Sequence, residues 1–343
     1  RSADSLDNQS EGVSILVEIY EGPEIILDNG YSVYTNNSDY VLRGTTSPSA
    51  AVTVNGNAVQ VDENGRFSYS SVLTLGANSF TITSEKDGIT HTVKQRVFYD
   101  IQAPTISYFR PSDNAYLSGN SAQIEISAYD NSGISPKRKV LQVQRSDESP
   151  WEDVMEVPSN MNIFYIDTTA PIGEGGPLGD GAYKFRILVW DMAGNVAGEN
   201  LVRIWNIDNT KPEPPTNLTA QVETGKVILS WNASVSPDIK TSYQYSIYRS
   251  TQPGGNYELL TTTSNNRYED ISVSEGVTYY YVVTVTDKAG NESEYSNEVS
   301  ASPENDTTPP TFTKVPYDGS KFGGNEFIIS LEATDNSPQG IKK

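Results

Sequence analysis

The chain has no cysteine, a single histidine and only three methionines. Without cysteine there are no disulfides, no thiolate-held zinc and no thiol nucleophile. That absence assigns no compartment, because many bacterial surface proteins also lack cysteine. The one histidine, His91, stands in "GITHTVKQRVFYD", where residues alternate as in a strand, and it reads as a surface strand residue. It would be the only base for a Ser-His-Asp or Cys-His arrangement, and no nucleophile motif stands near it. Long apolar runs are missing too: no stretch approaches the ~20 residues of a membrane helix. There is no signal-like start, and the first residue is Arg1, so the natural N-terminus is expected to lie upstream.

Positive charge is scarce. Against 24 Lys and Arg stand 44 Asp and Glu, for a net charge of -20 at pH 7. Such a surface repels phosphate backbones, which argues against nucleic acid as a partner. It suits divalent cations and cationic partners, and solubility alone accounts for most of the carboxylates. Of the 343 residues, 36% are hydrophobic. That low share fits several small domains, each sheet with one wet face, better than one large core. Helical periodicity is lacking as well. Trp151, Val154 and Met155 have helical spacing, but Pro158 closes the run, and a strand or a single turn is expected there.

What the sequence does contain is repetition. "DSLDNQSEGVSILVEIYEGPEI" (4–25), "DMAGNVAGENLVRIWNIDNTKPE" (191–213) and "DKAGNESEYSNEVSASPENDTTPP" (287–310) share one plan. Each has Asp, a short turn ending at Asn, a polar stretch, an alternating strand and a proline-bearing linker. Unit beginnings repeat too, in "APTISYFRPSDNAYLSGNSAQIEISAYDNSGI" (103–134) and "PPTFTKVPYDGSKFGGNEFIISLEATDNSPQGI" (309–341). Residues 1–20 therefore read as the tail of one module and 304–343 as the front of another. Three complete modules are expected at 21–100, 101–209 and 210–303. Strand signals dominate throughout. "AVTVNGNAVQV" (51–61) is a hairpin around Asn55-Gly56, Asn64-Gly65 marks a second turn, and "YKFRILVWD" and "YYYVVTVTD" are β-branched and aromatic runs. The fold class is all-β, a tandem array of β-sandwiches.

Residues 211–303 resemble a fibronectin type III domain through "PEPPTNLTAQVETGKVILSWNAS", "YQYSIYRS" and "EGVTYYYVVTVTDKAGNES". The resemblance implies that Trp231 is the core tryptophan of strand B and that Tyr279 holds the tyrosine-corner position. No Arg-Gly-Asp tripeptide is present, so no integrin-type reading follows. Residues 24–100 resemble bacterial Ig-like modules of the glucodextranase accessory type through "TNNSDYVLRGTTSPSAAVTVNGNAVQVDENGRFSYSSVLTLGANSFTITSEKDG". Residues 101–209 resemble a related bacterial Ig-like type through "YDNSGI" and "GDGAYKFRILVWDMAGN". In these families such modules serve as spacers, adhesion units or sugar-binding accessories, with no common active site. The resemblance implies an extracellular or cell-surface location. It also implies a non-catalytic spacer or adhesion segment, or else accessory, glycan-binding modules of a secreted polysaccharide-active enzyme. The partners would be a surface protein or polysaccharide and the neighbouring modules.

The Asp-x-x-Gly-Asn device has a sufficient explanation as a turn: Asp accepts backbone N–H bonds, Gly takes positive φ and Asn tolerates it. Topology adds a second reading. In an Ig-type sandwich the B–C and F–G loops lie at the same end as the N-terminal linker. That gathers Asp100, Asp130 and Asp191 at one joint and Asp208, Asp238 and Asp287 at the next, with Asp306 and Asp335 as a partial third set. Three aspartates at one place suit a hard cation such as Ca2+, which takes six to eight oxygens. Prolines at 23, 104, 212, 214, 215, 309 and 310 stiffen the linkers. The carboxylate neighbours Glu152-Asp153 and Glu269-Asp270 carry no glycosidase signature. Among aromatics, Trp190 and Trp231 read as core, while Trp151, Tyr31, Tyr34 and Tyr317 are candidates for exposure and sugar contact.

Overall fold

The computed structural model describes residues 22–130, 136–173, 175–242, 244–303, 311–314 and 332–334. The expected module tail at 1–20 and most of the expected front at 304–343, with Asp306, Tyr317 and Asp335, lie outside the described residues. Three hydrophobic cores follow one another along the chain.

The first core is enclosed by β1 (Ile26–Leu27), β2 (Ser32–Thr35), β3 (Asp39–Thr45), β4 (Ala51–Val54), β5 (Asn57–Val59), β6 (Arg66–Val72), β7 (Gly76–Lys86) and β8 (Ile89–Tyr99). They form two sheets, β1-β3-β6 and β2-β8-β7-β4-β5. Alternation along β3 and β4 turns Tyr40, Leu42, Val52 and Val54 inward onto Phe67, Phe80, Ile82 and Val97. The β4–β5 hairpin closes on Asn55 and Gly56, both at positive φ, as the Asn-Gly pair predicts. Gly44 sits where β1 crosses most closely: a Cβ there would lie 2.6 Å from the Ile26 carbonyl oxygen. His91 lies in β8, half-buried, and its Nδ1 accepts the Ile25 N–H at 3.1 Å, so it pins the first residues of the sandwich.

The second core lies between β9 (Thr105–Arg110), β11 (Ala122–Tyr129) and β14 (Ile163–Ile166) on one side and a five-strand path on the other. That path runs β10 (Tyr116–Leu117), β17 (Val202–Ile207), β15 (Gly181–Trp190), β12 (Arg138–Gln144), β13 (Trp151–Val157), with β16 (Val196–Ala197) folded back on β15. Its strand order repeats that of the first sandwich, including one parallel pairing of a short strand with the last one: β2 with β8, and β10 with β17. Trp151, Val154 and Met155 lie in strand β13. The core tryptophan is not Trp190 but Trp205, fully buried, with ring centroids 5.2 Å from Phe109 and 4.7 Å from Phe185. The phase of β15 explains the difference. Phe185, Ile187 and Val189 point inward, so Trp190 falls on the outer face, half-buried beneath the Arg138 guanidinium.

The third core is enclosed by β18 (Thr216–Glu223), β19 (Lys226–Asn232) and β22 (Arg267–Asp270), packed on β21 (Glu258–Thr263), β20 (Tyr245–Ser250), β23 (Tyr279–Val285) and β24 (Val299–Ala301). A three-strand sheet facing a four-strand sheet in this order is the fibronectin type III arrangement, and all its described pairings are antiparallel. Trp231 is buried on β19 and meets Tyr245 edge-on at 5.4 Å. Tyr279 opens β23 and its hydroxyl accepts the Ser274 N–H at 3.1 Å, the bond of a tyrosine corner. Asp270, fully buried, accepts from the Ser272 N–H and hydroxyl, from Tyr281 Oη at 2.9 Å and from Arg249 Nη1 at 2.8 Å. Beyond this sandwich β25 (Thr311–Lys314) pairs with β26 (Glu332–Thr334).

Candidate cation site at the module joints

At each joint a strand feeds directly into a linker that is held by the next sandwich. β8 ends at Tyr99, and Asp100 follows; β17 ends at Ile207, and Asp208 follows. The Asp-x-x-Gly-Asn turn of the next sandwich is the holder. Asp191 Oδ1 accepts the N–H groups of Gly194 at 2.6 Å and Asn195 at 2.8 Å. Asp287 Oδ1 accepts those of Gly290 at 2.7 Å and Asn291 at 2.8 Å. Gly194 and Gly290 take positive φ, which lets the N–H groups converge on one oxygen.

The Asn does more than tolerate the turn. Asn195 Nδ2 donates to Asp191 Oδ2 at 2.7 Å and to the carbonyls of Asp100 at 2.9 Å and Gln102 at 3.3 Å. Asn291 Nδ2 donates to Asp287 Oδ2 at 2.8 Å and to the carbonyls of Asp208 at 2.9 Å and Thr210 at 3.4 Å. One amide thus ties the turn to the incoming linker, twice, with nearly equal distances. Sequence reasoning assigned these asparagines only to the turn. The available signal was their return at the same offset from Asp in both modules.

The same turns gather the six aspartates into two sets. Asp100, Asp130 and Asp191 each offer an oxygen within 4.8 Å of the others, and so do Asp208, Asp238 and Asp287. Asp130 follows β11 and Asp238 precedes β20, so each set takes one member from the linker, one from the loop after the second long strand and one from the turn. Asp130, Asp191, Asp208 and Asp287 are buried, whereas Asp100 and Asp238 are half-buried. Asp238 is held by its backbone: its carbonyl accepts the Lys288 N–H at 2.9 Å. Burial pushes the Asp208 carboxyl up to about 6, the facing Asp238 carboxyl and the Asp287 charge push the same way, and the Thr210 N–H partly offsets them.

The other candidates fall apart as sites. Glu152 is paired with Arg145 at 3.1 Å, Asp153 accepts from Gln142, and Asp270 is bound up in its buried network. Glu269 pairs with Lys226 and Arg267. Trp151 is half-buried under Arg186, 4.2 Å from its ring centroid, and Tyr34 stacks on Phe98. Tyr31 is 55% exposed. An unforeseen aromatic row lies on the outer face of the β9-β11-β14 sheet. There Tyr108 is paired with Ser127, Tyr165 with Gln123 and Tyr129 with Thr105, and all three tyrosines are exposed.

The described chain is thus a tandem array of Ig-like sandwiches followed by a fibronectin type III sandwich, linked through acidic joints. No family model matches it. It is 37% identical over 144 residues to the amylopullulanase of Thermoanaerobacter thermohydrosulfuricus, a match covering 40% of this chain and 9% of that enzyme. It is 31% identical over 159 residues to chitinase A1 of Niallia circulans, covering 44% of this chain and 21% of that one. The chain thus spans only a small part of the curated relatives it matches. Among solved structures it is similar to a Fn3-like protein from Clostridium thermocellum, at 31% identity and a TM-score of 0.24, covering 28% of this chain and 99% of that one.

Proposed function

We propose that this segment is a non-catalytic spacer of an extracellular, multi-domain protein, in which successive sandwiches are held at set angles. The observation that carries the reading is the asparagine clamp, which ties each linker to the following turn. A linker pinned by its own backbone carbonyls loses the freedom that a plain loop keeps. The secreted-enzyme context draws support from the relatives, which are polysaccharide-active enzymes by name. The paired or buried state of the carboxylates that could serve as acid and base supports a non-catalytic role. Small-angle scattering of the whole chain tests the spacer. An elongated particle with one persistent length is expected; a compact particle, or scattering that fits only a flexible string of modules, contradicts it.

One observation favours a second role alongside the spacer. The exposed tyrosines Tyr108, Tyr129 and Tyr165 share one sheet face, with the Arg110 guanidinium 5.2 Å from the Tyr108 ring centroid, a surface that suits contact with sugar rings. Pull-down of the chain on insoluble α-glucan and chitin tests it, with a triple Tyr→Ala variant as control. Retention that the variant loses supports glycan binding; no retention, or equal retention, removes it.

A further inference from the structure

The joint between the second and third sandwiches holds a feature that neither the turn nor the clamp requires. Both oxygens of Asp287 are already used by the turn and by Asn291, and Asp208 Oδ1 accepts the Thr210 N–H at 3.2 Å. Asp208 Oδ2 is different. It is buried, receives no N–H or hydroxyl donor, faces the Asp238 carboxyl, and belongs to a residue only 8% exposed that is gathered with Asp238 and Asp287. A buried carboxylate oxygen with no donor costs free energy unless something positive meets it. Among the described residues no lysine or arginine forms a salt bridge with any of the three. The nearest cation on the same turn, Lys288, instead extends over the Tyr116 ring at 5.4 Å.

We infer that Asp208, Asp238 and Asp287 bind a calcium ion at this joint. The spacing fits. Oxygens that share one Ca2+ at about 2.3–2.6 Å lie no more than about 5 Å apart, and the three here lie within 4.8 Å of one another. Asp287 Oδ1 accepts two N–H groups, but Oδ2 accepts only Asn291 Nδ2, so its second lone pair can ligate while the turn bonds stay. Three carboxylates leave further positions for second carboxylate oxygens, carbonyls and water, which Ca2+ accepts in irregular geometry and Mg2+ does not. The ligands come from both sides: Asp208 from the linker leaving the second sandwich, Asp238 and Asp287 from the third. A bound ion therefore joins what the Asn291 clamp already ties. The site does not depend on the chain being a spacer. The first joint repeats the triad with Asp100, Asp130 and Asp191, and extends the expectation to a second ion.

The test is calorimetric titration of Ca2+ into the chelator-treated whole chain, together with melting scans in Ca2+, Mg2+ and chelator. Saturable binding is expected, with the melting of the third sandwich raised by Ca2+ and at least tenfold weaker binding of Mg2+. Asp238→Asn is the informative variant, because its half-buried side chain faces the Asp208 carboxyl and takes no part in the turn or the clamp. In chelator it should melt at or above the parent, because one of three like charges is gone, while it should bind one ion fewer and lose the calcium shift of the third sandwich. No saturable heat in the parent overturns the inference, as does an Asp238→Asn chain that keeps the full stoichiometry and shift.

Discussion

The two joints use the same clamp on different seats. In both, Asp holds the turn and Asn reaches back to two linker carbonyls, with matching distances. On the upstream side they diverge. At the second joint Asn209 is socketed: its Oδ1 accepts from the Gly119 N–H at 2.8 Å and the Thr168 hydroxyl at 2.7 Å, and its own N–H donates to Asp180 at 2.7 Å. Thr210 also bonds Asp180, and Ser118 reaches across to the Ala289 carbonyl of the third sandwich at 2.8 Å. At the first joint the equivalent linker residue is Ile101, 54% exposed, and the main upstream tie is the Asp100 N–H to the Thr35 carbonyl. An Ig-like and a fibronectin type III sandwich, with different strand orders, thus receive their linkers identically. The clamp belongs to the joint and the socket to the module before it, and the extra bonds of the socket predict that the second joint is the stiffer of the two.

The largest effect separates the sandwiches rather than the joints. Among the described residues, only the third sandwich has a buried carboxylate anchored by an arginine, a tyrosine and a serine. Asp270→Ala removes the only carboxylate that Arg249 and Tyr281 bond, leaving Arg249 its bonds to Ser272, and should cost about 3–5 kcal/mol, read by denaturant unfolding as loss of the third transition alone. Burial alone would raise the Asp270 carboxyl, but its bonds from Ser272, Tyr281 and Arg249 hold it below the ordinary carboxylate range. Its contribution is therefore present above the ordinary range and lost as pH falls through the depressed value, so acid should melt the third sandwich in the parent and spare that loss in the variant.

Asp208 carries the opposite sign. With its folded value up at about 6, its favourable contribution is complete below the ordinary carboxylate range and is lost as pH rises through 6. In chelator, Asp208→Asn should remove that slope and stabilise the joint at pH 7 by at most about 3 kcal/mol, seen as a raised melting temperature at pH 7 and little change at pH 4. A smaller change follows from cutting the clamps. Asn195→Ala and Asn291→Ala should each cost about 1–2 kcal/mol and uncouple the melting of adjacent sandwiches, the first more completely because its seat is weaker. Smallest is Ser118→Ala, about 0.5–1 kcal/mol, confined to the coupling of the second and third sandwiches.

The strands were readable because alternation and Asn-Gly turns are local signals. So was the gathering of the aspartates, since one topological rule places linker, B–C loop and F–G turn at a common pole. The outward place of Trp190 was not, because it depends on the phase in which β15 leaves the core, one residue before its turn. The clamp was hidden for another reason. Asn195 meets the Asp100 carbonyl 95 residues away, a contact that leaves no mark on the local composition of either segment.

Freedom from cysteine allows a direct measurement at both joints. Nitroxide pairs can be placed at exposed Glu63 and Glu148 across the first joint, and at Glu148 and Asn265 across the second. Pulsed electron-spin distance measurement should then give narrow distributions in the parent chain, the second narrower than the first. Asn195→Ala should broaden the first strongly, and Asn291→Ala the second less. Broad distributions in the parent, or distributions that neither substitution alters, would contradict a clamped joint.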